Sequence, residues 1–586
     1  MKIKKILLLL VVLVLGLTVS SCSVLENLIN SQGSNNDNST TNNNDVNLGP
    51  TEIAASDLVR PNKTILDYTD YGTIGDGETM PDYDTSKWYR NDLKDVPLPD
   101  PHIYYEDGVY YIYGTTDRTG AQSLDCYTTT DFIDYELHMN ILHPNSGYKS
   151  DWEANVLFAP EMYKFGDYYY LYYSNTMKGS GNRYLHVVKG ESPLGPFEQI
   201  NEVDANGKTV NGKSKPVFEF PEGHVNALDS TIFVDDDGRM YMYYVISTST
   251  QHIIGAEMKD PITIDWSTRK ALVVPGELQT NTNADTLFWE AYNGYNIAEA
   301  PYMIKSPNGL YYLTYSVNSY ENRYYSICYA YSDSPLGDYE KPYTPEQKQN
   351  GEIWTNLLLG YSGGLAGSSV YDQWTGFSSG NGHHCFFNIG DQIMIAYHQH
   401  KNRNSSGLGR AFAMDSLYFD EDGVPYTDGP TWSLQARPEA LSGYKNIALN
   451  ATVRYLNVEN AHFINDNYVV RHANLVQEAN KEVIINGGKA YIELVFDKEY
   501  TIGGIQINNS AYYDKALYEI AYINFFNDNV IYNASFMPNY VNDEKEFIFP
   551  GSSFTIDFDD IKATKVILCF DTTDGAQINE IKVLGK

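Results

Sequence analysis

A glycine turn followed by a tyrosine-rich strand recurs five times in the middle of this chain. The glycines stand at positions 108, 166, 238, 309 and 390, so they are 58 to 81 residues apart. Three of them follow Asp or Asn, and such pairs favour β-hairpins because the turn needs positive φ. Each unit has room for about four strands, and radial repetition closes such units around an axis. The sequence therefore predicts an all-β, five-bladed propeller over residues 88–440, with a β-sandwich as the alternative.

Composition agrees with a β-rich protein and limits its partners. The 586 residues include 51 tyrosines, and tyrosine favours half-buried strands. The formal net charge of −34 repels phosphate backbones, so we expect no nucleic-acid partner. A neutral ligand suits such a surface better. We further expect a monomer without an organic cofactor.

Residues 445–586 lack the repeat but contain short strand-like runs, which predict a β-sandwich of the jelly-roll kind. The segment opens with Lys445-Asn-Ile-Ala-Leu-Asn-Ala451 and closes with Ile578-Asn-Glu-Ile-Lys-Val-Leu-Gly585. Both edges resemble discoidin-type, galactose-binding-like domains. That resemblance implies a carbohydrate-binding module, and a module that only packs against the propeller is the alternative.

The N-terminus is predicted to be an export signal. Lysines precede an apolar run that is shorter than the roughly 20 residues a membrane-spanning helix needs. Val19-Ser-Ser-Cys22 follows and indicates a lipobox, so residues 1–21 are predicted to be a lipoprotein signal peptide and Cys22 the lipidated residue. We therefore expect the protein on the bacterial cell envelope, outward-facing or periplasmic, with membrane contact only through this lipid.

Two segments connect the predicted anchor to the propeller. Residues 22–50 are rich in Asn and Ser and predict a flexible tether. Residues 51–87 predict an N-terminal arm that lies over the propeller. The four remaining cysteines are too dispersed for a disulfide framework, so buried free thiols are expected at positions 126, 328, 385 and 569.

A polar residue precedes each hairpin glycine by a similar distance. Asp100, Asp229 and Glu299 lie eight to ten positions before their glycines, and Glu161 and His383 occupy related places in the second and fifth units. If the strand that carries them is innermost in its blade, these groups converge at one mouth of the axis. Like charges there raise one another's pKa. Glycoside cleavage needs such a set, with one protonated acid and one ionised base. The alternative is that each acid only caps a turn.

Three segments resemble the signature motifs of glycoside hydrolase family 43. They are Leu98-Pro-Asp-Pro-His-Ile103, Leu228-Asp-Ser-Thr-Ile-Phe-Val-Asp-Asp-Asp-Gly238 and Ala298-Glu-Ala-Pro-Tyr302. The resemblance spans roughly residues 95–435. It implies an inverting glycosidase in which Asp100 is the general base, Glu299 the general acid, and Asp229 the group that orients this acid and raises its pKa. Base and acid carboxyls are then expected roughly 6.5–9.5 Å apart, with room for one water.

The segment Gly380-Asn-Gly-His-His-Cys385 resembles the Gly-His segment of the same family. The resemblance implies that His383 approaches a structural calcium ion on the propeller axis; an ordinary hydrogen-bonded histidine is the alternative. Neighbouring strand residues point to opposite faces, so His383, His384 and Cys385 cannot share one zinc ion.

Substrate-binding residues are suggested by a further motif and by aromatic residues. Gly409-Arg410 resembles the family's Gly-Arg segment and implies that Arg410 binds sugar hydroxyls, with a salt bridge holding the last blade as the alternative. Phe158 and Trp289 are the expected aromatic contacts to the sugar. Trp354 and Trp374 are further candidates.

By this resemblance the chain hydrolyses α-L-arabinofuranosyl or β-D-xylosyl linkages in plant cell-wall polysaccharides. Two alternatives stay open: an exo-galactanase-type glycosidase, and a catalytically inactive surface protein that binds glycans. The related five-bladed fructan hydrolases carry an Asn-Asp-Pro-Asn-like nucleophile motif. The corresponding residues here are Pro99-Asp-Pro-His102, which disfavours that reaction.

Overall fold

A computed structural model describes the chain from residue 51 onward, with gaps. The described residues are 51–52, 68–71, 83–91, 96–117, 123–142, 154–177, 179–200, 218, 220–223, 225–276, 290, 296–342, 356–360, 378–400, 409–470, 481–510, 515, 517, 520–527, 529–536, 553–572 and 575–586. The predicted signal peptide, lipidated Cys22 and tether lie outside them. Within the described residues, no helix is long and apolar enough to cross a membrane.

Five antiparallel sheets, one for each predicted unit, follow three short strands. The short strands are β1 (Thr51–Glu52), β2 (Tyr68–Tyr71) and β3 (Trp88–Tyr89). Blade one contains β4 (His102–Glu106), β5 (Val109–Thr115), β6 (Leu124–Thr129) and β7 (Glu136–Leu142). Blade two contains β8 (Ala154–Phe165), β9 (Tyr168–Met177), β10 (Arg183–Gly190) and β11 (Phe197–Gln199). Blade three contains β12 (Ala227–Val234), β13 (Met240–Ser247), β14 (Gln251–Asp260), β15 (Thr263–Ile264) and β16 (Lys270–Val273).

The last two blades complete the propeller. Blade four contains β17 (Ala298–Lys305), β18 (Tyr311–Val317), β19 (Ser326–Ser332) and β20 (Leu357–Leu359). Blade five contains β21 (Gly382–Ile389), β22 (Gln392–His400), β23 (Arg410–Phe419) and β24 (Pro425–Thr427). The first strand of each blade contacts the first strand of the next, and the ring closes from β21 back to β4. The predicted five-bladed propeller is therefore confirmed, with the first strands innermost.

All five glycines of the sequence repeat lie in the turn between the first and second strands of their blades. Each has positive φ, between 59° and 91°. A glycine meets this requirement without the steric cost that a Cβ atom brings. The repeat detected in the sequence is therefore the hairpin that builds the inner half of every blade.

Tyrosines join successive blades. Five apolar clusters make up the propeller core, and each is shared by two neighbouring blades, including blades five and one. Second-strand tyrosines bury their rings there and donate their hydroxyls to carbonyls of the next blade: Tyr113 to Pro193 (2.6 Å), Tyr172 to Pro261 (2.5 Å) and Tyr243 to Pro335 (3.0 Å). A buried tyrosine needs such a partner for its hydroxyl. This arrangement accounts for part of the tyrosine content.

The chain then passes through a short connection into the C-terminal domain. Strand β25 (Gln435–Ala436) pairs with β3, and helix α1 (Glu439–Ser442) follows. The C-terminal strands are β26 (Lys445–Asn446), β27 (Thr452–Leu456), β28 (Val458–Glu459), β29 (Val483–Ile485), β30 (Gly488–Asn509), β31 (Ile520–Asn527), β32 (Asn529–Phe536), β33 (Ser553–Thr572) and β34 (Ala576–Gly585). Short 3₁₀ helices span Trp266–Thr268, Ile447–Asn450 and Ala461–Phe463.

Two long strands shape the C-terminal β-sandwich. Strands β30 and β33 pair along most of their length, with register shifts between Val495 and Tyr500 and between Ile502 and Gly504. Such irregularities bend strands, which allows the strands to enclose one large apolar core made of residues such as Ile492 and Leu568. The predicted sandwich is therefore present, built on strands much longer than the sequence runs indicated.

The N-terminal arm does not lie over the propeller in its described parts, so that expectation was wrong. Strand β1 pairs in parallel with β27, and β2 pairs with β33. Both add to the C-terminal sheet, because a strand is stabilised wherever a sheet edge offers unpaired backbone groups. The four cysteines at 126, 328, 385 and 569 are buried free thiols, as predicted.

Candidate active site

The inner strands share an unusual backbone conformation near their starts. Non-glycine residues adopt positive φ in all five blades: Asp100 (55°), Ala159 (50°), Asp229 (52°), Ala300 (48°) and His383 (48°). In blades two to five the ladder register shifts at this residue, as in a β-bulge. Bulges re-aim side chains and gather at active sites. Each such residue costs about 1–3 kcal/mol, so the surrounding structure has to hold it.

Side chains from the preceding blade hold four of these residues. The backbone N–H of each donates to one side chain on a second strand: Asp100 to His398 Nδ1 (3.2 Å), Ala159 to Thr115 Oγ1 (2.9 Å), Asp229 to Ser174 Oγ (2.9 Å) and His383 to Ser316 Oγ (2.8 Å). In blade four, the N–H of Ala300 donates to Asp229 Oδ2 at 3.2 Å instead. The predicted base, orienter and histidine therefore share one backbone position, whereas Glu299 lies one residue before it and Glu161 two residues after it.

Asp100 lies in a buried cationic setting. Its Oδ1 accepts from Arg410 Nη1 at 2.8 Å, and its Oδ2 accepts from Thr115 Oγ1 at 2.5 Å. The Nδ1 atoms of His383 and His398 lie 3.3 and 3.2 Å from Oδ1. Burial raises the pKa of Asp100, but nearby positive charge, that of Arg410 above all, outweighs burial and holds this pKa well below its usual range. Asp100 is therefore ionised.

Glu299 lies in a different environment, although it is equally buried. Its Oε1 accepts a hydrogen bond of 2.8 Å from the hydroxyl of Tyr325. Burial raises the pKa of Glu299 to about 7, and the Asp100 charge acts in the same direction, against the Tyr325 hydrogen bond. Glu299 is therefore protonated under mildly acidic conditions, as a general acid must be.

Asp229 is electrostatically coupled to Glu299. Burial raises its pKa, the charges of Glu299 and Asp100 raise it further, and His383 opposes them. Its Oδ2 also accepts the backbone N–H of Ala300, the residue after Glu299. Asp229 is thus placed to orient the strand that carries Glu299. Because two neighbouring negative charges repel, Asp229 and Glu299 also tend to retain one proton between them.

Glu161 lies beside this set. The hydroxyl of Tyr163 donates to its Oε2 and lies 3.1 Å from Thr231 Oγ1. Burial raises the pKa of Glu161 to about 8, and Asp229 contributes to the rise. The charge of Asp229 therefore favours the protonated form of Glu161, which lies outside the three carboxylates of the sequence motifs.

The described side chains around His383 offer few of the oxygen ligands that calcium takes. Calcium takes about six to eight oxygen ligands, whereas His383 lies against a carboxylate that Arg410 already pairs. Among the described residues, no group of three or more His, Cys, Asp or Glu side chains is placed to hold a metal. His384 points away, with Nε2 2.6 Å from Thr314 Oγ1. Calcium at His383 stays a prediction, and no catalytic step below depends on it.

The predicted substrate-binding residues occupy different places. Arg410 is buried, pairs with Asp100, and lies 4.9 Å from the ring centroid of Tyr320. Its link from blade five to blade one fits the salt-bridge alternative, and its contact with sugar stays a prediction. Phe158, half-buried, directly precedes the bulge in β8. Trp289, Trp354 and Trp374 lie outside the described residues.

The three signature segments do not contain Tyr325, His398 or Thr115, although all three residues contact the catalytic carboxylates or their backbone. The last two belong to a recoverable pattern, since a hydroxyl or imidazole follows the hairpin glycine by seven or eight positions in four of the five units: Thr115, Ser174, Ser316 and His398. Tyr325 has no such signal. Its ring packs where a Cβ on Gly382 would stand, since that atom would come within 2.1 Å of Tyr325 Cε1.

The site thus combines a carboxyl group whose pKa is lowered, Asp100, with one whose pKa is raised, Glu299, in a five-bladed propeller. The model of Glycosyl hydrolases family 43 matches residues 89–425, and the chain belongs to that family. It is therefore a glycosidase.

Characterised relatives differ in substrate. The chain is 26% identical over 338 residues to Beta-D-galactofuranosidase xynD of Aspergillus niger, covering 55% of this chain and 80% of that protein. It is 25% identical over 288 residues to the Extracellular endo-alpha-(1->5)-L-arabinanase of Thermotoga petrophila, covering 47% of this chain and 57% of that protein. The crystal structure of a thermostable family-43 glycoside hydrolase aligns with 25% identity and a TM-score of 0.47, covering 60% of this chain and 98% of that one.

Proposed function

We propose that this protein hydrolyses α-L-arabinofuranosyl or β-D-xylosyl linkages of plant cell-wall polysaccharides with inversion of configuration. The observation that carries the proposal is the contrast between Asp100, held ionised by Arg410, and Glu299, held protonated by burial. The similarity to an arabinanase supports the furanoside half of the proposal.

In the proposed reaction Asp100 removes a proton from a water molecule, whose oxygen attacks the anomeric carbon. Glu299 gives its proton to the departing glycosidic oxygen, so that one proton enters and one leaves the pair of carboxyls. Asp229 keeps Glu299 protonated until that moment. The positive charge of Arg410 keeps Asp100 ionised, so that its carboxylate can orient the water and accept the proton. A separation of roughly 6.5–9.5 Å between base and acid remains predicted.

The test compares the purified protein with Asp100→Ala, Glu299→Ala and, as a control, the exposed turn variant Asp237→Asn. Substrates are 4-nitrophenyl α-L-arabinofuranoside and β-D-xyloside, arabinan and arabinoxylan. We expect Asp100→Ala to be inactive on all of them. Glu299→Ala loses roughly 10²–10⁴-fold on polysaccharides and less on the nitrophenyl glycosides, because that leaving group needs little protonation.

Proton NMR of the first-formed sugar should show the inverted anomer. Cleavage of none of these substrates by the folded protein would overturn the proposal. A retained anomer would overturn its mechanism, and equal losses for Glu299→Ala on both substrate types would overturn the assignment of the acid.

A second candidate substrate is a β-D-galactofuranoside, because one characterised relative is a Beta-D-galactofuranosidase. This sugar differs from an α-L-arabinofuranoside by one further hydroxymethyl group on its exocyclic arm, which only the pocket wall can distinguish. One methylene-sized group changes selectivity by roughly 10- to 200-fold. The same assay with 4-nitrophenyl β-D-galactofuranoside separates the two candidates. Binding of arabinan or galactan without turnover would favour a glycan-binding protein, and cleavage of galactan would favour an exo-galactanase.

We also propose that Cys22 carries the lipid that holds this protein on the cell envelope. The lipobox and the Asn/Ser-rich segment after it support this location. Labelling with a fatty acid in bacterial cells should mark the parent and not Cys22→Ala. Label that persists in the variant would contradict the assignment. Elution of the variant at monomer size would agree with the expected monomer.

A further inference from the structure

The propeller and the C-terminal domain enclose a cavity of about 610 Å³ at their junction. Its wall includes the turn of the first hairpin of blade five (Asp391, Gln392), the connection before β26, and Lys582 of β34. This volume falls within the usual range for ligand pockets, about 300–1,000 Å³. Nothing in the reaction proposed above uses this cavity.

The cavity is remote from the carboxylates. His383, the second residue of strand β21, lies beside Asp100, and Gly390, directly after the strand, lines the cavity. Seven residues of strand separate them, or about 23 Å at roughly 3.3 Å per residue. A sugar bound in the cavity would therefore be separate from the one at the catalytic mouth.

The charges that line the cavity balance. They comprise three carboxylates and three cations: Asp391, Asp428, Glu439, Arg437, Lys445 and Lys582. One pair is direct, since Lys582 Nζ lies 3.2 Å from Asp428 Oδ2 and both side chains are only 9% exposed. In a chain whose formal net charge is −34, local neutrality favours an uncharged ligand over an anion or a cation.

The remaining lining is polar with aromatic faces. Five Asn and Gln side chains and three tyrosines, Tyr89, Tyr418 and Tyr444, surround the space. Each amide offers both donors and acceptors, as a sugar hydroxyl requires, and tyrosine rings provide apolar faces for sugar C–H groups.

Two lining residues keep one buried polar atom each without a hydrogen-bond partner. They are Asp428 Oδ1, an acceptor, and Asn446 Nδ2, a donor. A buried polar atom without a partner is destabilising by about 1–3 kcal/mol. Both atoms belong to residues that line the cavity, so its wall carries polar groups that contacts within the protein leave unsatisfied.

We propose that the junction cavity, defined by Gln392, Asp428, Asn446, Asn450 and Lys582, is a second, non-catalytic site for a neutral oligosaccharide. The choice of a glycan rests on the proposed function. Bound there, a glycan segment keeps the enzyme near its polymer, which raises the effective concentration of cleavable bonds. Because the site needs both domains, it also gives the C-terminal domain a part in carbohydrate binding that depends on the propeller.

The test fills the cavity without disturbing the core. Asn450 is exposed at the cavity rim, so Asn450→Trp adds bulk there, and Glu421→Trp, in an exposed turn outside the cavity, is the matched control. Both are made in the full chain, with and without Glu299→Gln to prevent turnover. Binding of α-1,5-arabinotriose and of xylotriose is measured by calorimetry, and activity on the nitrophenyl glycosides is measured in parallel.

We expect the Glu299→Gln protein to bind two molecules of one trisaccharide. Adding Asn450→Trp should remove one of them, or weaken it at least about fivefold, roughly 1 kcal/mol, while Glu421→Trp changes neither. Nitrophenyl glycoside cleavage should be unaffected by Asn450→Trp, whereas polysaccharide cleavage at low substrate falls. Asp391→Ala, also at the rim, should weaken the same event.

A single binding event, or two events insensitive to both rim variants, would overturn the second site and leave the proposed function intact. A different combination of results would overturn the proposed function and support the second site. In that case the parent protein cleaves no substrate, and it binds one trisaccharide molecule. This binding persists in Asp100→Ala and disappears in Asn450→Trp.

Discussion

Two aspartates with nearly the same backbone conformation acquire opposite acidities. Asp100 and Asp229 both have positive φ, 55° and 52°, in equivalent places of blades one and three. Asp100 meets Arg410 and two imidazoles, whereas Asp229 meets Glu299 and Asp100. The pKa of the first is lowered and that of the second is raised. The acidity of each aspartate therefore depends on the charged groups around its side chain rather than on its backbone conformation.

The pH profile should report Glu299. As pH rises through about 7, Glu299 loses its proton, so kcat/KM falls. The lowered pKa of Asp100 places the acidic limb of the profile at a much lower pH. Asp229→Asn removes a neighbouring carboxylate and should shift the alkaline limb to lower pH. Asp237→Asn, in an exposed turn of the same blade, should leave it in place. An alkaline limb that stays fixed or moves upward in Asp229→Asn would contradict the coupling of the two acids.

Tyr325→Phe should move the alkaline limb the other way. The Tyr325 hydroxyl donates to the Glu299 carboxylate and lowers its pKa, so its loss raises that pKa further. The acid also loses its fixed orientation, and kcat should fall roughly tenfold, which corresponds to about 1.4 kcal/mol. The measurement is the pH–rate profile of the variant. A drop in kcat without a shift of the alkaline limb to higher pH would show that Tyr325 has a purely structural role. Tyr312→Phe, elsewhere in blade four, is the control.

At the scale of elements, each blade is built from one continuous stretch of chain, so non-covalent contacts must join blade five to blade one. Phe412 of blade five donates its N–H to the carbonyl of Val96 (3.0 Å), before blade one. Asn91 bonds both backbone groups of Met414: its Nδ2 donates to the carbonyl at 2.7 Å and its Oδ1 accepts the N–H at 3.0 Å. The amide thus takes the place of a strand partner for β23. The apolar cluster shared by blades one and five completes the closure.

Asn91→Ala should therefore destabilise the propeller. The substitution removes the side-chain partner of the buried Met414 carbonyl and N–H, and one hydrogen bond each to Asp415 and Thr431. The expected loss is about 3 kcal/mol of unfolding free energy. Denaturant unfolding followed by tyrosine and tryptophan fluorescence measures it. Glu421→Ala, in an exposed turn, should lie within about 0.5 kcal/mol of the parent. A loss no greater than that of the control would rule out the closing function of Asn91.

On the scale of the whole molecule, the start of the propeller is embedded in the C-terminal domain. Trp88 is fully buried with Leu434, Tyr444 and Leu584, and its Nε1 donates to Asp557 Oδ1 at 3.1 Å. The same carboxylate accepts from Lys87 at 2.7 Å. The two domains thus share a core rather than a surface contact, and the junction cavity lies beside that core.

Trp88→Ala should destabilise both domains together. Truncating a buried tryptophan costs about 3–5 kcal/mol, and here the lost contacts belong to both domains. Calorimetry should show a lower midpoint for the whole molecule, with Tyr105→Ala, at an exposed position in blade one, as the control. Unfolding of only one domain at lower temperature would show that the domains are stabilised independently.

Local sequence patterns were sufficient to predict the propeller repeat, the C-terminal sandwich and the three carboxylates. Positive φ at a hairpin glycine and alternation along a strand are short-range requirements, so Gly108 and its four counterparts predict the blades directly. Motifs of a few residues likewise mark Asp100, Asp229 and Glu299. Buried free thiols followed from the wide spacing of the cysteines in the sequence.

Only the tertiary structure decided which of those carboxyls is charged, because pKa depends on groups brought together from distant positions. Arg410 is 310 residues from Asp100, and Tyr325, directly before β19, is 26 residues from Glu299. The pairing of β1 and β2 with the C-terminal sheet, which the sequence misplaced, and the junction cavity also arise from contacts between remote segments. No periodicity within one segment encodes such contacts, since their free energy depends on what the rest of the chain places opposite.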